Sequence, residues 1–183
     1  MIHALPRDFY LRDTIVVAKD LLGKYLYRRV NDHFQIGKIV EVEAYLGPHD
    51  KAAHSCKGLT PRTKVMFGPP GFAYVYLIYG MYHCLNVVTE PAGQASAVLI
   101  RALEPIANID MKTSGPGLLC KALAIDKAFN GHDFLSEDFF ITEGQGPRIV
   151  MVKRPRIGVA YAMSWAKRLL RFYIKGNPYI SKP

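Results

Sequence analysis

The sequence predicts an α+β fold, a single domain in which a curled, largely antiparallel sheet carries several short helices. Three observations lead there. Apolar and polar residues alternate with period two over much of the chain, helical spacing is confined to short stretches, and turns rather than crossover helices separate many of the alternating runs. The chain has 183 residues, half of them hydrophobic, enough for one core without staples. No repeat, low-complexity tract or linker divides it, so residues 1–183 are read as one domain.

The elements follow in order. "DTIVVAKDLLGK" offers Asp13 or Thr14 as a cap, repeats apolar residues at helical spacing and meets Gly23 where a C-cap belongs, so it predicts the first helix. Residues 24–30 and 34–45 alternate on both sides of "NDH" and predict a hairpin. The stretch from Leu46 to Gly71 is rich in proline and glycine and is expected as a long irregular loop, with Thr60-Pro61 opening a short helix. "FAYVYLIYGMYHCLNVV" and "ASAVLIRALEP" predict three strands, two of them meeting at Tyr79-Gly80. A helix entered through Gly115-Pro116 comes next, then strands at "FFITEG", "RIVMVKR" and "LRFYIKG".

Lys and Arg outnumber Asp and Glu by 24 to 15, a net charge of +9 spread along the chain, which fits a polyanionic partner such as nucleic acid better than an acidic membrane surface. Cys56, Cys84 and Cys120 are odd in number and form no CxxC or CxxH spacing, which argues against a disulfide framework and a structural zinc site. The opening "MIHALPRDFYLRDT" holds no apolar run of signal-peptide length and no window reaches bilayer-spanning length. A chain neither exported nor embedded is expected: cytoplasmic or at the nucleoid in a bacterium, nuclear in a eukaryote.

In "IVEVEAYLGPHDKAAHS" strand alternation puts Glu41, Glu43 and Tyr45 on one face and Val40, Val42 and Ala44 on the other. The loop that follows supplies Asp50 and His54, so acids, a phenol and an imidazole either meet in one cleft or lie on a solvated strand face and surface loop. Their spacing matches no metal site, and none is expected. Tyr74 and Tyr76 point to one face of their strand, while Tyr79 falls at a hairpin tip where Gly80 supplies the positive φ of a tight turn. Tyr74 and Tyr82 read as core tyrosines with satisfied hydroxyls, whereas Tyr79, lifted on a tip, offers a wedge against a base stack.

The runs "EVEAYLGPHDKAAHS", "GLTPR", "MFGPPGFAYVYLIYGMYHCLNVV", "AVLIRALEP", "GPG" with "LCKALAI", and "RIGVAYA" with "LRFYIKG" together resemble the alkyladenine (3-methyladenine) DNA glycosylase family of the human-type fold. The resemblance extends in order from about residue 8 to near the C-terminus. It implies a monomeric, cofactor-free, monofunctional base-excision enzyme acting on double-stranded DNA that contains damaged purines of the 3-methyladenine, hypoxanthine and ethenoadenine class. On the family's pattern Glu43 is the general base that activates water, Arg101 and the backbone carbonyl of Ile157 help hold that water, Tyr45, His54 and Tyr76 line the flipped base, Asn86 disfavours the guanine amino group, and Tyr79 fills the vacated stack. The chemistry agrees. Glycosidic cleavage develops positive charge on the sugar, which an anionic base beside water both attacks and stabilises, and a cationic methylated base stacks well on electron-rich rings. No lysine is placed as a Schiff-base nucleophile, so lyase activity is not expected. The chain departs from the pattern in a short segment after Glu104 that lacks a basic stretch, and in Leu169 where proline is common. The alternative is a catalytically silent nucleic-acid-binding module that keeps only the wedge and the basic surface.

Overall fold

The computed structural model describes residues 2–183, so Met1 of the expected 1–183 domain lies outside the described residues. Eight strands form one antiparallel sheet: β1 (Tyr25–Val30), β2 (His33–Tyr45), β3 (Ala73–Ile78), β4 (Tyr82–Thr89), β5 (Ser96–Ala107), β6 (Phe139–Thr142), β7 (Met151–Arg154) and β8 (Arg171–Ile174). The main path runs β3-β4-β5-β2-β1-β6, with β8 joining β2 to β7. The strand β2 is therefore paired on both edges, with β5 along one side and first β1, then β8, along the other. The sheet curls into a half-barrel with three α-helices, α1 (Arg7–Tyr10), α2 (Thr14–Leu21) and α3 (Pro116–Ala122), and short 3₁₀ turns around it.

Asp13 caps α2, its Oδ1 accepting from the amides of Ile15 and Val16. Val17, Ala18 and Leu21 of that helix then join Ile39, Val42 and Ala44 of β2 and Val98, Ile100 and Leu103 of β5 in the main core. Here the strand departs from simple alternation. Register shifts flank Glu41, so Ile39 rather than Val40 packs in this cluster together with Val42 and Ala44. A bulge of this kind also increases local twist, which suits a sheet that must curl around a site.

The 46–71 segment is more ordered than its composition suggests. Asp50 is fully buried, accepts from the amides of Leu46 and Ala52, and is held at both carboxylate oxygens by Arg156, at 2.5 and 2.9 Å. Pro61 does not begin a helix: Thr60 and Thr63 each accept the other's amide through their hydroxyls, closing a turn, and the 3₁₀ helix runs Lys64–Phe67. Tyr82 is not core either. It is 42% exposed, beside the hairpin tip, with its ring against Gly117 of α3, where a Cβ would come within 2.7 Å of the ring. No described helix is long and apolar enough to cross a membrane.

Candidate active site

The sheet register assembles the site before any side chain is considered. Tyr74 pairs with Asn86, Asn86 with Leu99, Leu99 with Glu43 and Glu43 with Arg171, a row that crosses β3, β4, β5, β2 and β8. Directly paired residues share a face. That face backs a cavity of about 500 Å³, whose walls include Tyr45, His54, Tyr76, Asn86, Arg101 and Ile157 and whose mouth includes Tyr79 and Tyr161.

Glu43 lies directly behind this wall. Its carboxylate is fully buried; Oε1 accepts from the amide of Ile157 at 2.8 Å and from Arg101 Nη1 at 3.3 Å, and Oε2 accepts the hydroxyl of Tyr45 at 2.7 Å. A carboxylate has about four acceptor sites, so these three bonds leave about one acceptor site unfilled. Burial pushes the Glu43 carboxyl above the usual range, opposed by Arg101, the Ile157 amide, Tyr45 and Arg156. The solvated-face reading of Glu41, Glu43 and Tyr45 fails, because both carboxylates have 0% exposure. Both face Arg101, which lies 3.7 Å from Glu41 and 3.3 Å from Glu43.

Three aromatic rings lie together in the wall. His54 lies edge-on to Tyr76 at 4.4 Å between centroids, and Tyr76 tilts against Tyr74 at 5.4 Å. The His54 Nδ1 is 2.9 Å from the Tyr74 hydroxyl. Burial, helped by nearby Arg62, lowers His54 to about 4, so the ring is neutral at neutral pH. Tyr74 is thus core with a satisfied hydroxyl, as its position in the strand suggests. Tyr45 is backed by the Arg156 guanidinium, 4.7 Å from its ring centre. Asn86 is buried with its amide fixed, Nδ2 donating to the Tyr74 carbonyl at 3.0 Å.

Tyr79 stands at the cavity mouth, 80% exposed. Its own φ is +54° and that of Gly80 is +66°, so the tip takes two consecutive left-handed residues, one of them a tyrosine. Bulky residues rarely hold that conformation, and when they do it is commonly at a functional site.

Asp50 is not in the cavity; it is consumed by Arg156. Among the described residues no three His, Cys, Asp or Glu side chains converge as a cation site. Sequence reasoning did not single out Arg156, Arg171, the Ile157 amide or Ser181, all of which brace the carboxylates. Strand alternation could have given Arg171 a face of its strand but not its pairing opposite Glu43; the others arrive through loops, which carry no periodic signal.

The model of the methylpurine-DNA glycosylase family matches residues 8–178. This chain belongs to that family. A protein named "Putative 3-methyladenine DNA glycosylase" from Legionella pneumophila (strain Lens) is 66% identical over 179 residues, covering 97% of this chain and 98% of its own. Proteins of the same name from Anaeromyxobacter dehalogenans (strain 2CP-C) and Methanocella arvoryzae are 52% and 50% identical, covering 98% and 97% of this chain and 87% and 96% of theirs. The protein is thus a DNA glycosylase, a hydrolase of N-glycosyl bonds with DNA as its substrate.

Proposed function

We propose that the protein excises damaged purines of the 3-methyladenine, hypoxanthine and ethenoadenine class from duplex DNA by a water that Glu43 activates. The observation that carries the reading is the buried Glu43 carboxylate, three of its acceptor sites occupied, set immediately behind an aromatic cavity. The extruded purine stacks against Tyr45, Tyr76 and His54. Tyr79 occupies the vacated place in the duplex, which keeps the nucleotide from returning. Glu43 takes a proton from water as the oxygen bonds to the anomeric carbon and that carbon's bond to the purine nitrogen breaks, its electron pair leaving with the base; the carboxylate's charge offsets the cation forming on the sugar. Arg101 and the Ile157 backbone orient the carboxylate and its water: the amide of Ile157 holds Glu43, and its carbonyl accepts from the water. Asn86, immobilised on the Tyr74 carbonyl, leaves no room for the exocyclic amine of guanine.

A base already cationic departs as a neutral purine, and electron-rich aromatic walls suit it; hypoxanthine or ethenoadenine departs as an anion that takes its proton from solvent. His54, uncharged at neutral pH, adds no repulsion to such a base. The described chain acts as one glycosylase domain and as a monomer, in the compartment that holds the chromosome.

Duplex containing a single hypoxanthine, and dimethyl-sulfate-treated duplex, incubated with the protein and then with alkali, test the reading. Base release leaves abasic sites that break. Binding without breakage on both substrates would leave only the silent nucleic-acid-binding module.

A further inference from the structure

We propose that the segment 177–183, centred on Ser181, is a positioning strap that fixes the Arg101 guanidinium against the catalytic carboxylate. The proposal rests on the reading of Glu43 as the base and adds a part to it whose central residue, Ser181, lies beyond residue 178, where the family match ends.

Beyond local bonds at Asn177, the segment is tied down through charged side chains of β2, β5 and β8. Asn177 Nδ2 donates to Glu104 at 2.8 Å. The Ser181 amide donates to Glu41 Oε2 at 2.6 Å, and the Ser181 hydroxyl accepts from Arg101 Nε at 3.3 Å. The Lys182 carbonyl accepts from Arg171 Nη1 at 2.6 Å, and the same nitrogen donates to Glu41 Oε1 at 2.9 Å. The result is an alternating buried series, Glu43, Arg101, Glu41 and Arg171, two negative and two positive, which the strap closes along its outer edge.

None of residues 177–183 belongs to a hydrophobic cluster of the molecule. Core burial therefore does not account for the order of this segment, whereas its bonds to Glu41, Arg101 and Arg171 do. A guanidinium is a rigid planar fork, so fixing Nε on Ser181 while the group faces Glu41 dictates where Nη1 points, and it points at Glu43. With the strap gone, Glu41 Oε2 loses its amide, Arg101 loses an acceptor, and water reaches a side chain that is now only 10% exposed. The guanidinium then shares itself between Glu41, Glu43 and solvent.

The groups facing Glu43 are Arg101 from β5, Arg156 and the Ile157 amide from the loop after β7, Tyr45 from its own strand, and Tyr76, Cys84 and Tyr161 around the cavity. Arg171, the cross-strand partner of Glu43 on β8, also shares this face; the strap touches it and Arg101, and of the two only Arg101 bonds Glu43 itself. Its displacement removes a cation that holds the Glu43 proton affinity down, so more acid-side activity is lost.

The test uses the full chain, a version ending at residue 178, Ser181→Pro, which deletes the amide donor, and Ser181→Thr, which keeps both groups. Single-turnover excision on dimethyl-sulfate-treated duplex is followed across pH, with lesion-duplex affinity and thermal midpoint measured in parallel and Glu43→Gln alongside. In the truncated chain and Ser181→Pro the maximal rate falls roughly ten- to a hundred-fold, the effect of a small misplacement of a catalytic group. The acid limb moves to higher pH, affinity is unchanged, and Ser181→Thr behaves as wild type. Wild-type rate and acid limb in both strap variants overturn the proposal, as does a rate loss that follows the thermal midpoint with the acid limb in place. If instead Glu43→Gln remains active, the assignment of the base has failed, and that outcome is separate from either result on the strap.

Discussion

Glu43→Gln isolates the charge of the carboxylate proposed as the general base, because glutamine keeps the length and an acceptor for the Ile157 amide while removing basicity. Loss of a general base costs about a hundred- to ten-thousand-fold in rate, or about 3–5 kcal/mol of barrier at about 1.4 kcal/mol per decade. Loss of the anion beside the developing sugar cation adds to that. Binding of lesion DNA remains. The same substitution has an opposite effect on the fold. In wild type, burial raises the Glu43 carboxyl above its unfolded value, so between those two values the native state holds more protons than the unfolded chain, and stability falls as pH rises through that window. Above it the full destabilisation is present; in acid it vanishes. Glutamine carries no such cost, and Arg101 retains Glu41 as a partner. The thermal midpoint of Glu43→Gln therefore exceeds that of wild type at neutral pH, each kcal/mol raising it by about 2–4 °C in a chain of this size, and the difference closes on acidification. Single-turnover excision and thermal scans at several pH values measure both effects. Excision within about tenfold of wild type, less than a general base contributes, would refute Glu43 as the base. A midpoint difference that grows toward acid would refute the electrostatic account of its burial.

Tyr79→Ala lowers the fraction of flipped lesion read with a fluorescent base analogue, since the extruded nucleotide regains a few kcal/mol of stacking and pairing; its thermal transition is retained because the side chain is exposed. Asn86→Ser raises release of guanine relative to adenine lesions, measured by product chromatography, and leaves the Tyr74 carbonyl with a poorer partner at a cost of about 1–3 kcal/mol in urea unfolding. Asp50→Ala strands the buried Arg156 charge and lowers unfolding free energy by about 3–5 kcal/mol. Affinity for undamaged duplex falls with salt at a log-log slope of about −0.9 per phosphate contacted, and a slope near zero would remove the electrostatic part of DNA binding.

Much of the fold was legible because a half-buried strand announces itself by period two. The hairpin before Tyr45, the β3–β4 turn at Tyr79-Gly80 and the helix capped by Asp13 all carry their own local chemistry in sequence. Glu43, Tyr45 and Asn86 could be placed on strands for the same reason, and the structure sets Tyr45 and Asn86 in the cavity wall with Glu43 directly behind it. Alternation failed at Val40, where a bulge displaces the register, and at Tyr82, whose position beside the tip and under Gly117 depends on the helix Pro116–Ala122, far along the chain. It was silent about Arg156 and Ser181, which reach the carboxylates from irregular segments. The loop after Tyr45 reads as long and irregular from its prolines and glycines, yet one buried ion pair, Asp50 with Arg156, fixes it; a contact more than a hundred residues distant in sequence leaves no local trace.

Because β2 is hydrogen-bonded along both edges, the amides around Glu43 exchange with solvent only through opening events that approach global unfolding, whereas the exposed Tyr79 tip, its turn closed by the Met81 amide on the Ile78 carbonyl, opens at a lower cost. The site is therefore divided between a stiff floor and a compliant rim. Mild denaturant or warming below the main transition softens the rim first, and activity then declines through failure to retain the extruded nucleotide while the hydrolytic step, for those nucleotides that are captured, proceeds at its original rate.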